Sequence, residues 1–183
     1  VCSVYTPGAP HGYPSISEDK YIPGMKRICD AIHAEGGKAA LQLWCAGLGA
    51  VSDPSVKLLF PSEMEIFGIP LKPIEEEEIW EVIKAYGAAA KRCVEAGFDA
   101  LEFHCGHNYL PHTFLSGGFN TRTDQWGGSH ENRKRFPLEC IKSIRANIPE
   151  GMPLLMRIDC HDDGLENGLT IEQVIDFCKD AKE

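Results

Sequence analysis

The 183-residue sequence predicts an α/β fold with a parallel sheet, and three observations support this prediction. Three helix-like segments are each followed by a short apolar run with the length of a strand. No hairpin signal lies between one predicted strand and the next. Polar residues gather just after the carboxyl ends of these strands, where (β/α)₈ barrels carry their active sites. The pattern therefore favours a (β/α)₈ barrel over an open, doubly wound sheet.

Two further features separate these architectures. No predicted strand is followed by the G-x-G-x-x-G turn that marks open dinucleotide-binding sheets. A whole barrel needs about 250 residues and eight strands. A chain of 183 residues would therefore supply only part of a barrel.

The first helix is predicted over residues 22–34, where apolar residues recur every three or four positions. Pro23 suits its first turn, and a pair of glycines ends it. The apolar run at 39–44 then predicts a strand that is buried on both faces. Residues 45–73 hold seven glycines and prolines, which predicts an extended loop without a long element.

Two more helix and strand pairs follow. A helix over 75–96 begins with four consecutive glutamates, which are favourable at a helix N-terminus, and the next strand covers 99–104. A third helix over 131–147 leads to a strand over 154–158. The last helix begins at the capping-box sequence of residues 170–173.

The composition argues against several classes of function. There are 27 acidic and 18 basic residues, and the resulting charge of −9 repels nucleic acid and anionic lipid surfaces. No apolar run reaches the roughly 18 residues of a membrane span, and no signal peptide opens the chain. The eight cysteines never form C-x-x-C, and a disulfide scaffold would suit a smaller secreted chain. We therefore expect a cytoplasmic protein with reduced thiols and no metal site.

The densest group of chemically active side chains is His104-Cys105-Gly106-His107-Asn108-Tyr109, directly after a predicted strand. The two imidazoles leave a strand on opposite faces, so they converge only if the chain turns, as Gly106 permits. They could then donate two hydrogen bonds to one carbonyl oxygen, while Tyr109 acts as a general acid. Two alternatives stay open: structural hydrogen bonds, or a metal site completed by His112, although the spacing matches no familiar metalloenzyme pattern.

Gln42 and Arg157 are polar residues inside otherwise apolar strands, where burial is costly without a partner. They could form structural hydrogen bonds in a barrel core. They could also contact a planar polar cofactor, because an amide pairs with a ring's C=O and N–H edge and a guanidinium stabilises an anionic ring. The residues alone leave both interpretations open.

The polar loop at 120–129 is predicted to be structural. Ser129 is a suitable N-cap for the helix that follows. Arg122 and Asp124 could pair with each other or anchor the start of that helix.

A long ordered motif runs through the middle of the chain. Its members are Gly97-Phe98-Asp99-Ala100-Leu101-Glu102-Phe103-His104, His107, Tyr109-Leu110, Phe114-Leu115-Ser116, Asn120-x-Arg122-x-Asp124 and Gly127-Gly128-Ser129-x-Glu131-Asn132-Arg133-x-Arg135-Phe136. This motif closely resembles the old yellow enzyme family of FMN-dependent ene-reductases. Upstream, Leu41-Gln42-Leu43-Trp44 with Ala46-Gly47 and then Pro61-Ser62-Glu63 extend the resemblance, which weakens before about Ile16.

The resemblance implies a cofactor, an activity and a set of site residues. It implies an FMN-binding barrel that uses NADH or NADPH to reduce the C=C bond of α,β-unsaturated carbonyl compounds. His104 and His107 match the pair that binds the activating oxygen of the substrate, and Tyr109 matches the proton donor. Gln42 and Arg157 match residues that contact the flavin.

Four positions depart from the family's usual residues. Cys45 stands where His is usual, Leu48 where Arg is usual, Trp126 where Tyr is common and Asp159 where Ser is frequent. The resemblance places Cys45 and Leu48 near the rim of the cofactor site.

By the family's layout, residues 1–183 are an internal segment of one barrel domain, roughly its third to fifth strands with flanking helices. The first strand and strands six to eight would be absent, and the flavin phosphate would bind in the missing part. Open strand edges then predict an oligomer or a complementing segment.

Two alternatives to a simple ene-reductase stay open. One is a larger family member with a 4Fe–4S cluster and FAD beyond Glu183, such as a dienoyl-CoA or bile-acid-pathway reductase or an amine dehydrogenase. The other is a catalytically silent barrel fragment.

Overall fold

A four-stranded parallel sheet lies at the centre of the computed structural model, which describes residues 1–66 and 68–182. In chain order the elements are β1 (Cys2–Ser3), α1 (Ile22–Ala34), β2 (Ala40–Trp44), β3 (Met64–Ile66), β4 (Ile69–Leu71), α2 (Glu76–Ala96), β5 (Ala100–Cys105), α3 (Leu110–Leu115), α4 (His130–Arg145), β6 (Leu154–Ile158) and α5 (Ile171–Lys182). The sheet has the strand order β1-β2-β5-β6, and all neighbouring strands are parallel. The predicted alternation of helices and parallel strands is confirmed.

The helices begin and end where the sequence signals lie. Three of the four glutamates form the first turn of α2, and the helix ends at Gly97, which adopts φ +92°. The side chain of Ser129 accepts the backbone N–H of Asn132, so the predicted N-cap of α4 is confirmed. In front of α5, Thr170 and Gln173 exchange side-chain and backbone hydrogen bonds, as the capping box predicts.

The two faces of the sheet differ in burial. On one face, Leu43 and Phe103 are fully buried in a core that also contains residues of α2 and α4. On the other face, Ala40 is exposed, Gln42 is half-buried and Leu155 is 49% exposed. The prediction that strand 39–44 is buried on both faces was therefore wrong, because the helices cover one face only. The polar residue of β2 lies on the open face.

Three short elements were not predicted. The two-residue strand β1 pairs with β2 and adds a fourth parallel strand. The antiparallel hairpin β3–β4 lies within the loop at 45–73, so the absence of any hairpin between the strands was a wrong expectation. The helix α3 has six residues and contains Pro111 in its first turn. Elements of two to six residues are too short for a periodic pattern to indicate them.

The loop at 120–129 has the predicted structural role. The guanidinium of Arg122 forms an ion pair with Asp124 at 2.6 Å and donates to the carbonyl oxygens of Pro61 and Ile74, both at 2.9 Å. These bonds connect the loop before α4 to the loop before α2.

All eight cysteines are free thiols. Within residues 1–66 and 68–182, no helix has the length and apolar character that a membrane crossing requires.

Candidate active site

The candidate site lies at the carboxyl ends of β5 and β6. In the register of these strands, His104 lies opposite Arg157. After Cys105 the chain turns through His107 and Asn108, which adopt left-handed conformations with φ +59° and +58°. The turn ends at Tyr109, the residue before α3. The chain does turn after β5, but the positive φ angles fall on these two residues and not on Gly106.

Gly106 is required for a different reason. A Cβ atom at this position would lie 2.6 Å from Oδ1 of Asp159, which follows β6. Real Cβ atoms essentially never approach another atom so closely, so the missing side chain allows the two strand ends to meet. The close approach brings a carboxylate against the turn.

The turn brings three rings together. The ring centroids of His104 and His107 are 5.1 Å apart, those of His104 and Tyr109 are 4.8 Å apart, and those of His107 and Tyr109 are 6.0 Å apart. Tyr109 also packs edge to face on Trp44, at 5.2 Å. The three side chains that the sequence analysis named as catalytic candidates therefore form one cluster.

The hydrogen bonds assign the tautomers of both imidazoles. Nδ1 of His104 accepts the N–H of Gly106 at 3.3 Å, so Nε2 carries the proton. Nε2 of His107 lies 3.1 Å from Nη2 of Arg157. An arginine can only donate, so this nitrogen accepts and Nδ1 carries the proton. Among the described residues, neither of these two N–H groups has an acceptor, so both are available to a ligand.

His104 is neutral at physiological pH. Its side chain is almost completely buried, at 2% exposure. Burial, together with the nearby His107 and Arg157, lowers the pKa of His104 to about 4. The ring therefore offers a neutral N–H donor and keeps its proton when it donates.

The cofactor candidates Gln42 and Arg157 lie on the open face of the sheet. The amide Nε2 of Gln42 donates to the carboxylate of Glu102, its partner in the strand register, and its carbonyl oxygen accepts no hydrogen bond from the described residues. Arg157 is exposed, and its one hydrogen bond among the described residues is to His107. The open face therefore carries both acceptors and donors close to the ring cluster.

Residues 4–183 match the model of the NADH:flavin oxidoreductase / NADH oxidase family. The chain belongs to this family. The match begins at residue 4, so the likeness extends further towards the amino end than Ile16, where the sequence analysis expected it to weaken. The resemblance to the old yellow enzyme family is confirmed.

One curated relative of this flavin oxidoreductase family is the "Probable NADH-dependent flavin oxidoreductase YqiG" of Bacillus subtilis (strain 168). It is 38% identical over 142 residues, which cover 76% of this chain and 38% of the relative. This chain spans between 25% and 49% of the length of such curated relatives. These relatives are therefore about two to four times as long as the chain.

Two solved structures of similar proteins show the fold. A 2-naphthoyl-CoA reductase, in complex with 2-naphthoyl-CoA, superposes with a TM-score of 0.90 at 31% identity, over 99% of this chain and 30% of that chain. Morphinone reductase, in complex with tetrahydroNAD, superposes with a TM-score of 0.82 at 27% identity, over 99% of this chain and 57% of that chain. The expected fold class, part of a (β/α)₈ barrel, is confirmed.

Two of the departures from the usual family residues, Cys45 and Leu48, follow directly after β2. Cys45 is fully buried, and desolvation with the nearby Glu78 raises the pKa of its thiol to about 12. Its side chain is therefore part of the core, and its carbonyl oxygen accepts the backbone N–H of Leu110. Leu48 is half-buried in a short 3₁₀ turn over Gly47–Ala50.

Three residues beside the candidate site were not identified from the sequence as neighbours of it. Glu102 lies two positions before His104, and an acid inside a strand is the signal that could have found it. His112 was considered only as a metal ligand, but its Nδ1 accepts from the backbone N–H of Asn108 and its Nε2 lies 2.9 Å from Asp162. Both its nitrogens are therefore occupied. Asp162 has no local sequence signal that connects it to His112, since 50 positions separate them.

Proposed function

We propose that this chain supplies the substrate-binding and proton-donating side chains of a flavin-dependent reductase. Its substrates would be C=C bonds conjugated to a carbonyl group. The observation that carries the proposal is the cluster of His104, His107 and Tyr109 at the carboxyl ends of β5 and β6. Membership of the flavin oxidoreductase family supports it.

The two imidazoles would bind the carbonyl oxygen of the substrate. Each ring keeps one N–H without an acceptor among the described residues, on Nε2 of His104 and Nδ1 of His107. Donors fixed in place stabilise the negative charge that develops on such an oxygen during reduction. A neutral His104 holds its proton throughout, so it activates the carbonyl group without transferring a charge.

Tyr109 would donate the proton to the α-carbon. Its ring is fixed by edge contacts with Trp44 and His104, while the side chain as a whole is only half-buried. A phenol held in this way can reach a ligand bound by the imidazoles. A positioned general acid contributes roughly 10²- to 10⁴-fold to such a step.

The residues on the open face of the sheet fit a flavin. The carbonyl oxygen of Gln42 can accept from a ring N–H, because Glu102 holds the amide nitrogen on the other side. The exposed guanidinium of Arg157 can donate to ring oxygen or nitrogen and stabilise negative charge. Bound FMN, once reduced by NADH or NADPH, would supply the hydride that adds to the β-carbon.

The chain would carry out this reaction as an internal segment of one FMN-binding barrel domain. The described residues form four parallel strands and leave β6 as an open edge, whereas a closed barrel has eight strands. In barrels of this class the phosphate site lies after the seventh and eighth strands. The full-length protein that contains this chain is therefore the right material for the test.

The test follows the visible absorbance of the flavin in that full-length protein. We expect NADH or NADPH to bleach it without oxygen, and a cyclic enone or an enoate to restore it. Arg157→Met should weaken FMN binding at least about tenfold, since it removes a charged donor, while Arg145→Met, at the other end of the sheet, should leave it unchanged. A protein that binds no flavin and oxidises no nicotinamide with these substrates would contradict the proposal.

The second candidate is a larger iron–sulfur flavoenzyme of the same family. The observation that favours it is the TM-score of 0.90 with a 2-naphthoyl-CoA reductase chain of which this chain covers only 30%. Iron, acid-labile sulfide and FAD, measured in the full-length protein, separate the two candidates. Their presence at stoichiometric levels favours the larger enzyme, and FMN alone favours a simple ene-reductase. A silent barrel fragment would bind none of them.

A further inference from the structure

The turn that carries His107 has an unusual backbone. His107 and Asn108 both adopt left-handed conformations, with φ +59° and +58°. Asparagine and histidine adopt this region more often than most residues, but neither has the freedom of glycine. Such a conformation persists only where the surrounding structure holds it in place. The contacts of this turn therefore indicate what fixes the His107 ring.

Both backbone N–H groups of the turn donate to side chains. The N–H of His107 donates to Oδ2 of Asp159 at 2.6 Å. The N–H of Asn108 donates to Nδ1 of His112 at 2.9 Å. Asp159 comes from the loop after β6, and His112 comes from α3, so the turn is held from two sides.

His112 is itself held by a buried carboxylate. The His112 side chain is 1% exposed, and Nε2 of His112 lies 2.9 Å from Oδ1 of Asp162. The other oxygen of Asp162 accepts from the hydroxyl of Ser116 at 2.5 Å and from the N–H of Leu169 at 2.8 Å. Burial alone would raise the pKa of Asp162, but the bonds from His112, Ser116 and Leu169 lower it to about 2. An ionised Asp162 keeps the proton of His112 on Nε2 and leaves Nδ1 as the acceptor.

We propose that Asp159 and the buried His112–Asp162 pair are positioning residues, which hold the turn at His107 and Asn108 in its left-handed conformation and thereby fix the His107 ring. The importance of that ring rests on the proposed function, in which His107 binds the substrate oxygen. The three residues do not themselves take part in the chemistry. They act through the two backbone N–H groups of the turn.

The first test measures amide hydrogen exchange at His107 and Asn108 in the full-length protein. Asp159→Ala removes the acceptor of the His107 amide, and we expect its exchange to become at least about tenfold faster. Asp159→Asn keeps an oxygen at the same place and should restore most of the protection. Asp99→Ala is the matched control, because Asp99 accepts the backbone N–H of Ala39 at 2.8 Å at the opposite end of the sheet.

A pair of substitutions at His112 tests the second contact and remains informative if Asp159→Ala does not fold. In His112→Asn the side-chain oxygen can replace Nδ1 as the acceptor of the Asn108 amide. In His112→Gln the amide reaches towards Asp162 and Nδ1 has no substitute. Faster exchange at Asn108 in His112→Gln than in His112→Asn supports the proposal. Equal protection of the Asn108 amide in the two His112 variants overturns it, and so does unchanged exchange of the His107 amide in folded Asp159→Ala.

Activity is the second readout, and it separates this inference from the proposed function. In a working reductase, Asp159→Ala should raise the KM for the enone about tenfold, and Asp159→Asn should recover most of that loss. If the wild-type protein reduces no enone, the proposed function fails, while the exchange rates still decide whether the turn is held as described. If the enone is reduced and the exchange rates do not change, only the positioning role fails.

Discussion

The rings of His104 and Tyr109 meet edge to face with their centroids 4.8 Å apart, although they begin and end a six-residue segment. An extended strand would separate these residues by about 17 Å. The left-handed turn between them brings the buried imidazole and the half-buried phenol to one place. An oxygen donor pair and a proton donor can therefore act on neighbouring atoms of one ligand.

Replacement of Tyr109 by Phe tests the role of the hydroxyl group. The ring contacts with Trp44 and His104 remain in Tyr109→Phe, so we expect the stability to change by less than about 0.5 kcal/mol. Reduction of an enone by the reduced full-length enzyme should become about 10²-fold slower or more. Reduction of the flavin by NAD(P)H should keep its rate. Stopped-flow absorbance measures the two half-reactions separately.

A matched substitution provides the control for this experiment. Tyr21→Phe removes a hydroxyl group near the start of α1, away from the site, and should leave both half-reactions unchanged. An equal loss in the two half-reactions of Tyr109→Phe would show that Tyr109 has a structural role and is not the proton donor.

The sequence predicted the elements that carry a periodic apolar face and a cap. The helix α4 begins directly after Ser129, and α5 begins directly after Thr170. The sequence did not predict β1, because this two-residue strand shows no pattern of its own and is defined by its pairing with β2. The hairpin β3–β4 was missed for a similar reason, since three-residue strands show no alternation.

The candidate site shows the same division between local and distant information. His104, His107 and Tyr109 lie within one short segment, so local order was enough to name them together. The contact between His107 and Asp159 joins positions 52 residues apart, and no local pattern connects them. The fold alone brings the loop after β6 against the turn after β5. The residues that support the site therefore had to be found in the structure.

The buried imidazole of His104 should make the stability depend on pH. Its folded pKa of about 4 lies below the ordinary value of about 6.5 in an unfolded chain. Between these values the unfolded state binds a proton that the folded state does not bind. Stability is therefore complete above about pH 6.5 and falls as the pH decreases towards about 4.

Urea denaturation of wild type and His104→Gln across that pH range measures this contribution. We expect the wild type to lose more stability than the variant between about pH 6.5 and about pH 4, by on the order of 2 kcal/mol. His161→Gln, at an exposed position after β6, should retain the wild-type dependence. Parallel stability curves for wild type and His104→Gln would show that the imidazole is not held in its neutral form.

Lys134 connects α4 to α5 through a buried ammonium group. Its side chain is 3% exposed and contacts carboxylates of Glu131, Asp176 and Asp180 at 2.5 to 2.8 Å. Burial alone would lower the pKa of Lys134, but the hydrogen bonds with the three carboxylates raise it. The group is therefore charged, and its removal leaves three acids close together without a cation.

We expect Lys134→Met to reduce the free energy of unfolding by about 1 to 2 kcal/mol, because the carboxylates that it leaves unpaired are themselves 42 to 74% exposed. Lys142→Met provides the comparison, because Lys142 pairs with Glu139 while its side chain is 70% exposed, and an exposed pair contributes less than about 1 kcal/mol. Chemical denaturation of the two variants measures the difference. Equal effects would mean that solvent reaches the ammonium group of Lys134 freely.

The 3₁₀ turn after β2 packs closely enough on Tyr109 to make Gly49 necessary. A Cβ atom at Gly49 would lie 2.5 Å from Cε1 of Tyr109 and 3.4 Å from Cζ2 of Trp44. In Gly49→Ala the phenol ring must shift, so we expect enone reduction to slow at least about tenfold, since small misplacements of a catalytic group are costly. Gly24→Ala is the control, because Gly24 lies in α1 with nothing within 4 Å of its added Cβ, and alanine should stabilise that helix by up to about 1 kcal/mol. The rate of enone reduction is measured for both variants and for the wild type. Equal rates in all three proteins would show that the position of Tyr109 does not limit the reaction.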